Sequence, residues 1–316
     1  MRAIMVHEHG GPEVLTLTDL PEPEAGPGQV VVRAEAIGVS VVEAHMRAGI
    51  LPIPLPAVLG VEAAGQVVAV GEGVDPALVG TAVAGVTGGA GAYAEFAAMP
   101  VAMTAPIPAG VSAVDAVAAG AAGAVALGLI HKAALRGGET VLVEAGASNV
   151  GGYLLQLARE FGAGRILATA GAEGKRELAR SLGADVVIDH RQDGWTAELG
   201  DAIDVAFESI GGASARGVIE ALTPGTGRML YYGRLSGEAP AITPDDLLGR
   251  GATLVGCSGP AWFAEVFTVR YPEVFARLAD GRTKAAVGLT LPLADAAEAH
   301  RLVESRGVTG KIVLIP

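Results

Sequence analysis

The sequence predicts an α/β fold in two parts, a β-rich part and a doubly wound parallel sheet. Three observations lead there. The chain has 316 residues, and one domain takes roughly 150. Residues 1–110 carry short alternating apolar runs separated by Pro and Gly clusters, the pattern of strands and turns. From Glu139 onward, short apolar runs alternate with helical stretches of ~10 residues, the pattern of a parallel sheet covered by helices.

The opening residues alternate charge and apolarity (Arg2, Ile4, Val6, Glu8) and read as a strand. Further strands are predicted at 30–36, 64–70 and 92–97, with turns at 21–28, 71–76 and 88–91. Residues 113–135 are rich in Ala and Gly and read as a helix joining two domains. Their uncharged stretch, 116–130, is shorter than the ~20 residues that span a bilayer, so a buried helix is expected. Strands are then predicted at 140–144, 165–170, 185–188, 204–207, 228–232 and 252–257. Helices are predicted at 150–161, 173–182 and 213–222, the second ending at Gly183 as a C-cap. The tail from Trp262 holds a helix, an apolar run at 287–291, a helix near 294–303 and a last strand at 311–315.

Composition narrows the function. The net charge of −12 argues against nucleic acid and anionic membranes as partners, since both attract basic patches. One cysteine, Cys257, excludes an internal disulfide framework and a multi-Cys metal site. A reducing, cytoplasmic compartment follows, and Cys257 reads as a packing residue. His7, His9, His131 and His300 show no metal-ligand spacing.

The sharpest local signal is Gly146-Ala147-Ser148-Asn149-Val150-Gly151, between a strand and a helix. It keeps the first and third glycines of the dinucleotide fingerprint: one for the tight turn, one for close helix–strand packing. Ser148 replaces the second, and Ser148 and Asn149 both suit a helix N-terminus where anions bind. The second strand ends Ala168-Thr169-Ala170-Gly171 without the acid that would hold a ribose 2′-hydroxyl. Lys175, Arg176 and Arg180 follow. A 2′-phosphate needs cations there, so NADPH is the predicted cofactor, with Gly146, Ser148, Asn149, Val150, Gly151, Thr169, Gly171 and Lys175 as its site.

With these motifs in place, the whole chain resembles the quinone oxidoreductase branch of the medium-chain dehydrogenases/reductases. The resemblance rests on Gly10-Gly11-Pro12-Glu13-Val14-Leu15, Ala36-Ile37-Gly38-Val39-Ser40, Gly60-Val61-Glu62-Ala63-Ala64-Gly65 and Gly91-Ala92-Tyr93-Ala94-Glu95. It continues through Gly137-Gly138-Glu139-Thr140-Val141-Leu142-Val143 to Thr309-Gly310-Lys311-Ile312-Val313-Leu314. It implies a GroES-like β-rich catalytic domain over 1–115, completed by 262–316, and a Rossmann nucleotide-binding domain over 116–261. It further implies an active site between them and a homodimer made through the 252–257 region. From the family, His190 stands near the adenosine, Tyr232 and Gly233 line the cofactor groove, and Lys311 joins the cofactor set.

Departures from the family pattern are as informative. Zinc-dependent relatives have a Cys ligand where Ser40 stands and a His ligand where Val61 stands. Glu62 alone cannot hold a catalytic zinc, so a metal-independent reaction is expected. Where quinone oxidoreductases carry Asn-Pro-x-Asp and then Tyr, this chain has Ser40-Val41-Val42-Glu43 and His45. The family's Thr on the nicotinamide side is Ala124. His45 is the candidate proton donor, because imidazole titrates near neutral pH, with Ser40 beside it. The expected reaction is hydride transfer to a quinone or an α,β-unsaturated carbonyl. Three alternatives stay open. One is enoyl-thioester reduction with Arg47 and Arg234 as cations. The second is a non-redox biosynthetic step, and the third is an NADPH-binding protein without turnover.

Overall fold

The computed structural model describes residues 1–200 and 202–316. The chain divides into two units, Met1–Ala124 with Ala264–Pro316, and Val125–Phe263.

The first unit begins with β1 (Arg2–Val6), β2 (Thr16–Asp19), β3 (Gln29–Val39), helix α1 (Val41–Arg47), β4 (Ala57–Val58) and β5 (Glu62–Val70). β6 (Ala82–Val86), β7 (Phe96–Pro100) and β8 (Thr104–Pro106) follow. β1 pairs antiparallel with both β2 and β4. β3 pairs antiparallel with both β5 and β7. Its inward residues Val30, Val32, Ile37 and Val39 meet Ala63, Val67, Val83 and Met99 in the core. A register shift between Ala34 and Ala36 moves the inward set from Val30 and Val32 to Ile37 and Val39.

Helix α2 (Ala113–Ala133) is apolar all round, and a helix of that kind is stable only when buried. By length and composition it could cross a membrane, but 67% of its apolar window lies inside the protein. The boundary between the units falls within it.

The second unit alternates strands with α-helices except between β11 and β12: β9 (Glu139–Val143), α3 (Asn149–Ala158), β10 (Ala163–Thr169), α4 (Glu173–Ser181), β11 (Val186–Ile188) and β12 (Val205–Glu208). Then come α5 (Ser214–Ala221), β13 (Arg228–Tyr231), α6 (Pro244–Arg250) and β14 (Thr253–Gly256). Among the described residues these strands form one sheet in the order β11-β10-β9-β12-β13-β14, and every pairing is parallel. The order reverses between β9 and β12. Ligands of doubly wound sheets bind outside the strand C-termini at such a reversal.

The tail runs through α7 (Pro260–Glu265), α8 (Tyr271–Ala279), β15 (Val287–Pro292), α9 (Ala296–Glu304) and β16 (Lys311–Ile315). β16 lies between β15 and β3, completing the order β15-β16-β3-β5-β6-β8. The first unit is thus the GroES-like part and the second the Rossmann part of an α/β protein.

Two helices differ from the sequence reading, which has none at either place. α1 starts on a capping box between Ser40 and Glu43. α6 starts on a capping box between Thr243 and Asp246, with Pro244 in its first turn and Gly251 left-handed at its end. The strand expected at 92–97 lies instead at Phe96–Pro100. Ahead of it, the Tyr93 N–H donates to Leu59 O, and Ala94 bridges Ala3 of β1, so residues 93–95 turn to β1 before β7 begins.

Candidate cofactor and catalytic site

The turn from β9 into α3 is built by its small residues. A Cβ on Gly151 would collide with Ala145 O, and one on Gly146 would stand 2.8 Å from Ala168 Cβ and 3.2 Å from Leu155 Cδ1. Both positions therefore need glycine for packing, the first against β10 and α3. Ala145 takes φ +48, a left-handed value usual for Gly, Asn or Asp. Ser148 caps α3: its Oγ accepts from Gly151 N at 3.1 Å and its carbonyl from Gly152 N at 2.8 Å. Thr169 is fully buried and braces the loop from behind. Its Oγ1 accepts from Ala145 N at 3.0 Å and its O from Gly146 N at 2.9 Å. These bonds leave the backbone N–H groups of Asn149 and Val150, at the positive end of a 10-residue helix, without a protein acceptor among the described residues. That donor set fits an anionic pyrophosphate.

Beyond β10, Gly171 faces His190 and Arg191. A Cβ on Gly171 would stand 3.1 Å from His190 Nε2 and 3.1 Å from Arg191 Cδ. Lys175 lies half-buried in the first turn of α4. Arg176 pairs with Glu173, donates to Gly171 O at 2.6 Å and meets Asp189 Oδ2 at 2.6 Å. Arg191 also reaches Asp189, at 2.8 Å, and with Arg176 holds that carboxyl well below the usual carboxylate range. Arg191 is a residue that sequence reasoning missed. Its signal was proximity to His190 just after the third strand of the nucleotide half.

Tyr232 follows β13, and its hydroxyl is buried without a hydrogen-bond partner. Burial raises it far above the usual phenol range, opposed by the adjacent Ser209 and helped by the nearby Glu144 and Glu208. Gly233 backs directly onto Ser209, whose carbonyl would stand 3.2 Å from an added Cβ. Cys257 is buried, and desolvation pushes its thiol up to about 11, which disfavours the nucleophilic thiolate.

In the first unit, Ser40 is the N-cap of α1. Its hydroxyl donates to Glu43 Oε2 at 2.6 Å, and its N–H donates to the same oxygen at 2.9 Å. The other Glu43 oxygen accepts from Val61 N at 3.2 Å. Burial pushes Glu43 up, opposed by the Lys311 charge and the Ser40 bonds. His45 is half-buried on α1, and its ring makes no hydrogen bond among the described residues. Lys311 lies in the first unit and pairs with Glu62 Oε2 at 3.2 Å. Glu62 Oε1 accepts from Tyr271 Oη at 2.5 Å and from Ala121 N at 2.6 Å. Arg47 is equally committed, bonded to Gly10 O at 3.0 Å, to Glu304 at 2.5 Å and to His300 at 3.5 Å. It is not available as an anion receptor. Ala124 is fully buried in α2. Among the described residues no three His, Cys, Asp or Glu side chains stand together as metal ligands.

Comparison with known proteins places this geometry. The alcohol dehydrogenase GroES-like domain family matches residues 26–109, and the zinc-binding dehydrogenase family matches residues 149–279. A quinone oxidoreductase of Pseudomonas aeruginosa is 31% identical, over 100% of this chain and 99% of its own. A 2-haloacrylate reductase of a Burkholderia species is 32% identical, over 99% of this chain and 98% of its own. A mycobacterial protein solved in complex with NADPH superposes with a TM-score of 0.93 at 35% identity, covering 100% of both chains. With both domain families matched in order and relatives that match from end to end, the chain belongs to the quinone oxidoreductase family of medium-chain dehydrogenases/reductases.

Proposed function

We propose that the chain is an NADPH-dependent oxidoreductase that reduces a quinone or an α,β-unsaturated carbonyl without a metal. The observation that carries this reading is the Ala145–Gly151 turn, with the free N–H donors of α3 at the sheet reversal. The mycobacterial relative's NADPH complex, the quinone oxidoreductases and the 2-haloacrylate reductase support it. NADPH, when bound, supplies the hydride. The α3 N-terminus with Ser148 and Asn149 binds the pyrophosphate. Thr169 braces the loop, and Gly171, His190, Tyr232 and Gly233 shape the groove. Lys175 binds the 2′-phosphate. Lys175, half-buried in the first turn of α4, is a basic side chain just beyond the end of β10, where an NAD site would carry an acid. Lys311 acts through Glu62 and Glu43 and not by direct contact. His45 supplies the proton or a hydrogen bond to the acceptor oxygen, with Ser40 holding α1 in place.

A metal-free reaction suits the donor chemistry. The Ser40 hydroxyl caps a helix, Val61 offers no ligand, and Glu62 is saturated by Tyr271, Ala121 and Lys311.

Loss of reduced-nicotinamide absorbance with simple quinones and 2-haloacrylate tests the assignment. Lys175→Ala should weaken NADPH by at least about tenfold, the scale of one lost charge contact, and leave NADH nearly unchanged. Equal loss for both removes the 2′-phosphate role, and NADPH binding with no turnover on either acceptor class removes the reductase reading. His45→Phe should lower kcat more than it raises KM.

A homodimer and a cytoplasmic location belong to the same reading. β14 is the edge of the parallel sheet and pairs with β13 alone among the described residues. A second copy added along that edge would cover it. Light scattering should give twice the chain mass, and a monomer would exclude the pairing.

A further inference from the structure

Two buried carboxyls adjoin the cofactor loop and have no part in the reaction proposed above. Glu144 directly follows β9, and Glu208 ends β12. Val143 pairs with Phe207 in the parallel ladder, and the Glu144 N–H donates to Phe207 O at 3.1 Å. The two acids are therefore lateral neighbours on strands ~4.8 Å apart, with side chains on the same face. Both are 0% exposed.

Their surroundings hold no countercharge. The titratable groups facing them are each other, Tyr231 at the end of β13 and Tyr232 just after it. Arg234 acts on Tyr231 only. Among the described residues no Lys, Arg or His charge acts on either acid. Two adjacent carboxylates in such a place cannot both ionise.

The hydrogen bonds decide which acid keeps the proton. Glu208 Oε1 accepts N–H bonds from Ile210 at 2.7 Å and from Gly211 at 2.6 Å, which favours its anion. Glu144 receives no donor: both its oxygens, with Oε2 of Glu208, are buried without a partner. A proton on Glu144 directed at Oε2 of Glu208 supplies both. Burial first, then the Glu208 charge, push Glu144 well up in agreement.

We propose that Glu144 and Glu208 hold one proton between them at neutral pH, and that this proton positions the cofactor loops. The Ala145–Gly151 loop leaves Glu144, and the Ser209–Gly212 loop leaves Glu208, from the same end of neighbouring strands. The Glu208 carboxylate ties the second loop down through Ile210 and Gly211. Both glycines of that loop, Gly211 and Gly212, have positive φ (+76° and +62°), so this loop is tied through the carboxylate at a bend only glycine takes easily. Loss of the shared proton at alkaline pH puts a second negative charge under a loop that takes an anionic pyrophosphate. Cofactor affinity then falls as pH rises. The inference rests on the reading of Gly146–Gly151 as the cofactor loop.

Infrared titration of the cofactor-free protein, paired with NADPH binding by fluorescence from neutral to alkaline pH, tests it. The expected result is a protonated-carboxyl carbonyl band at neutral pH that vanishes on alkaline titration. NADPH affinity should fall by about tenfold per pH unit across the same range. Glu144→Gln keeps shape and donates to Glu208 without titrating, so it should lose the band and flatten the affinity profile. Absence of the band in the wild type overturns the shared proton, and that arm needs no variant. A band with pH-independent NADPH binding overturns the coupling alone. A band with no NADPH binding at any pH overturns the coupling together with the functional reading.

Discussion

Glu62→Ala is expected to destabilise the first unit by about 3–5 kcal/mol, the range for breaking a buried ion pair from one side. Glu62 is 2% exposed and serves three donors from three separate elements: Lys311 on β16, Tyr271 on α8 and the Ala121 N–H within α2. Space for this meeting is made by glycine. A Cβ on Gly38 would stand 2.9 Å from Glu62 Oε2, and one on Gly120 2.6 Å from Glu62 Oε1. Truncation strands the Lys311 ammonium, 6% exposed, and orphans the buried Tyr271 hydroxyl and the half-buried Ala121 N–H. Lys311→Met added to Glu62→Ala should therefore restore part of the loss, because the unpaired charge leaves with it. Urea unfolding of the two single variants and the double measures this. A loss below about 1 kcal/mol for Glu62→Ala would mean that the site takes in water and that the pair is ordinary surface chemistry.

Acid should weaken the same unit through His300. Its ring is fully buried, edge-on to Tyr93 with ring centres 5.8 Å apart. Arg47 Nη1 stands 3.5 Å from Nδ1 and can only donate, so Nδ1 accepts. The proton then sits on Nε2, which donates to Tyr93 Oη at 3.1 Å. Burial first and the Arg47 charge second depress His300 to about 4, against a smaller upward pull from Glu304. The unfolded chain takes up a proton near pH 6.5 that the native ring refuses until about 4. Stability is therefore full above about pH 6.5 and is lost as pH falls through that window, by about 3 kcal/mol in total. Melting curves of wild type and His300→Gln across mildly acidic pH isolate the effect from the carboxylates. The variant should be less stable at neutral pH yet lose less on acidification. Parallel curves would show that His300 does not set the slope.

Much of the nucleotide half was legible from residues alone. A parallel strand buried on both faces reads as an unbroken apolar run, and Gly146, Gly151 and Gly183 punctuate the runs. The observed strands 139–143, 163–169, 186–188 and 205–208 fall within two residues of those expected. The short helices were harder. Val41-Val42 opens α1 with two β-branched residues, and a single turn beyond them leaves no periodic stripe to read. Its only local sign was the Ser40–Glu43 spacing. Pro244 and Gly251 similarly bracket α6, but only 7 residues lie between its ends. Partners far apart in sequence were beyond reach. Lys311 reads as a cofactor cation by position, yet its partner is 249 residues away. Glu144 reads as the end of a strand, and only the sheet register sets Glu208 beside it.

The place of β16 bears on how the protein is made. β16 fills the gap between β15 and β3, yet it leaves the ribosome long after β3. Val125–Phe263 is continuous and can close on itself while synthesis goes on. Met1–Ala124 cannot. Until the tail arrives, the Ile37–Val39 stretch of β3 offers Ile312–Leu314 an open ladder and Glu62 lacks its lysine. A nascent chain of this protein therefore carries an unfinished, sticky N-terminal sheet for most of its translation. Ribosome-associated chaperones would meet that sheet first, and shortening the tail by one strand would do more harm than its length suggests.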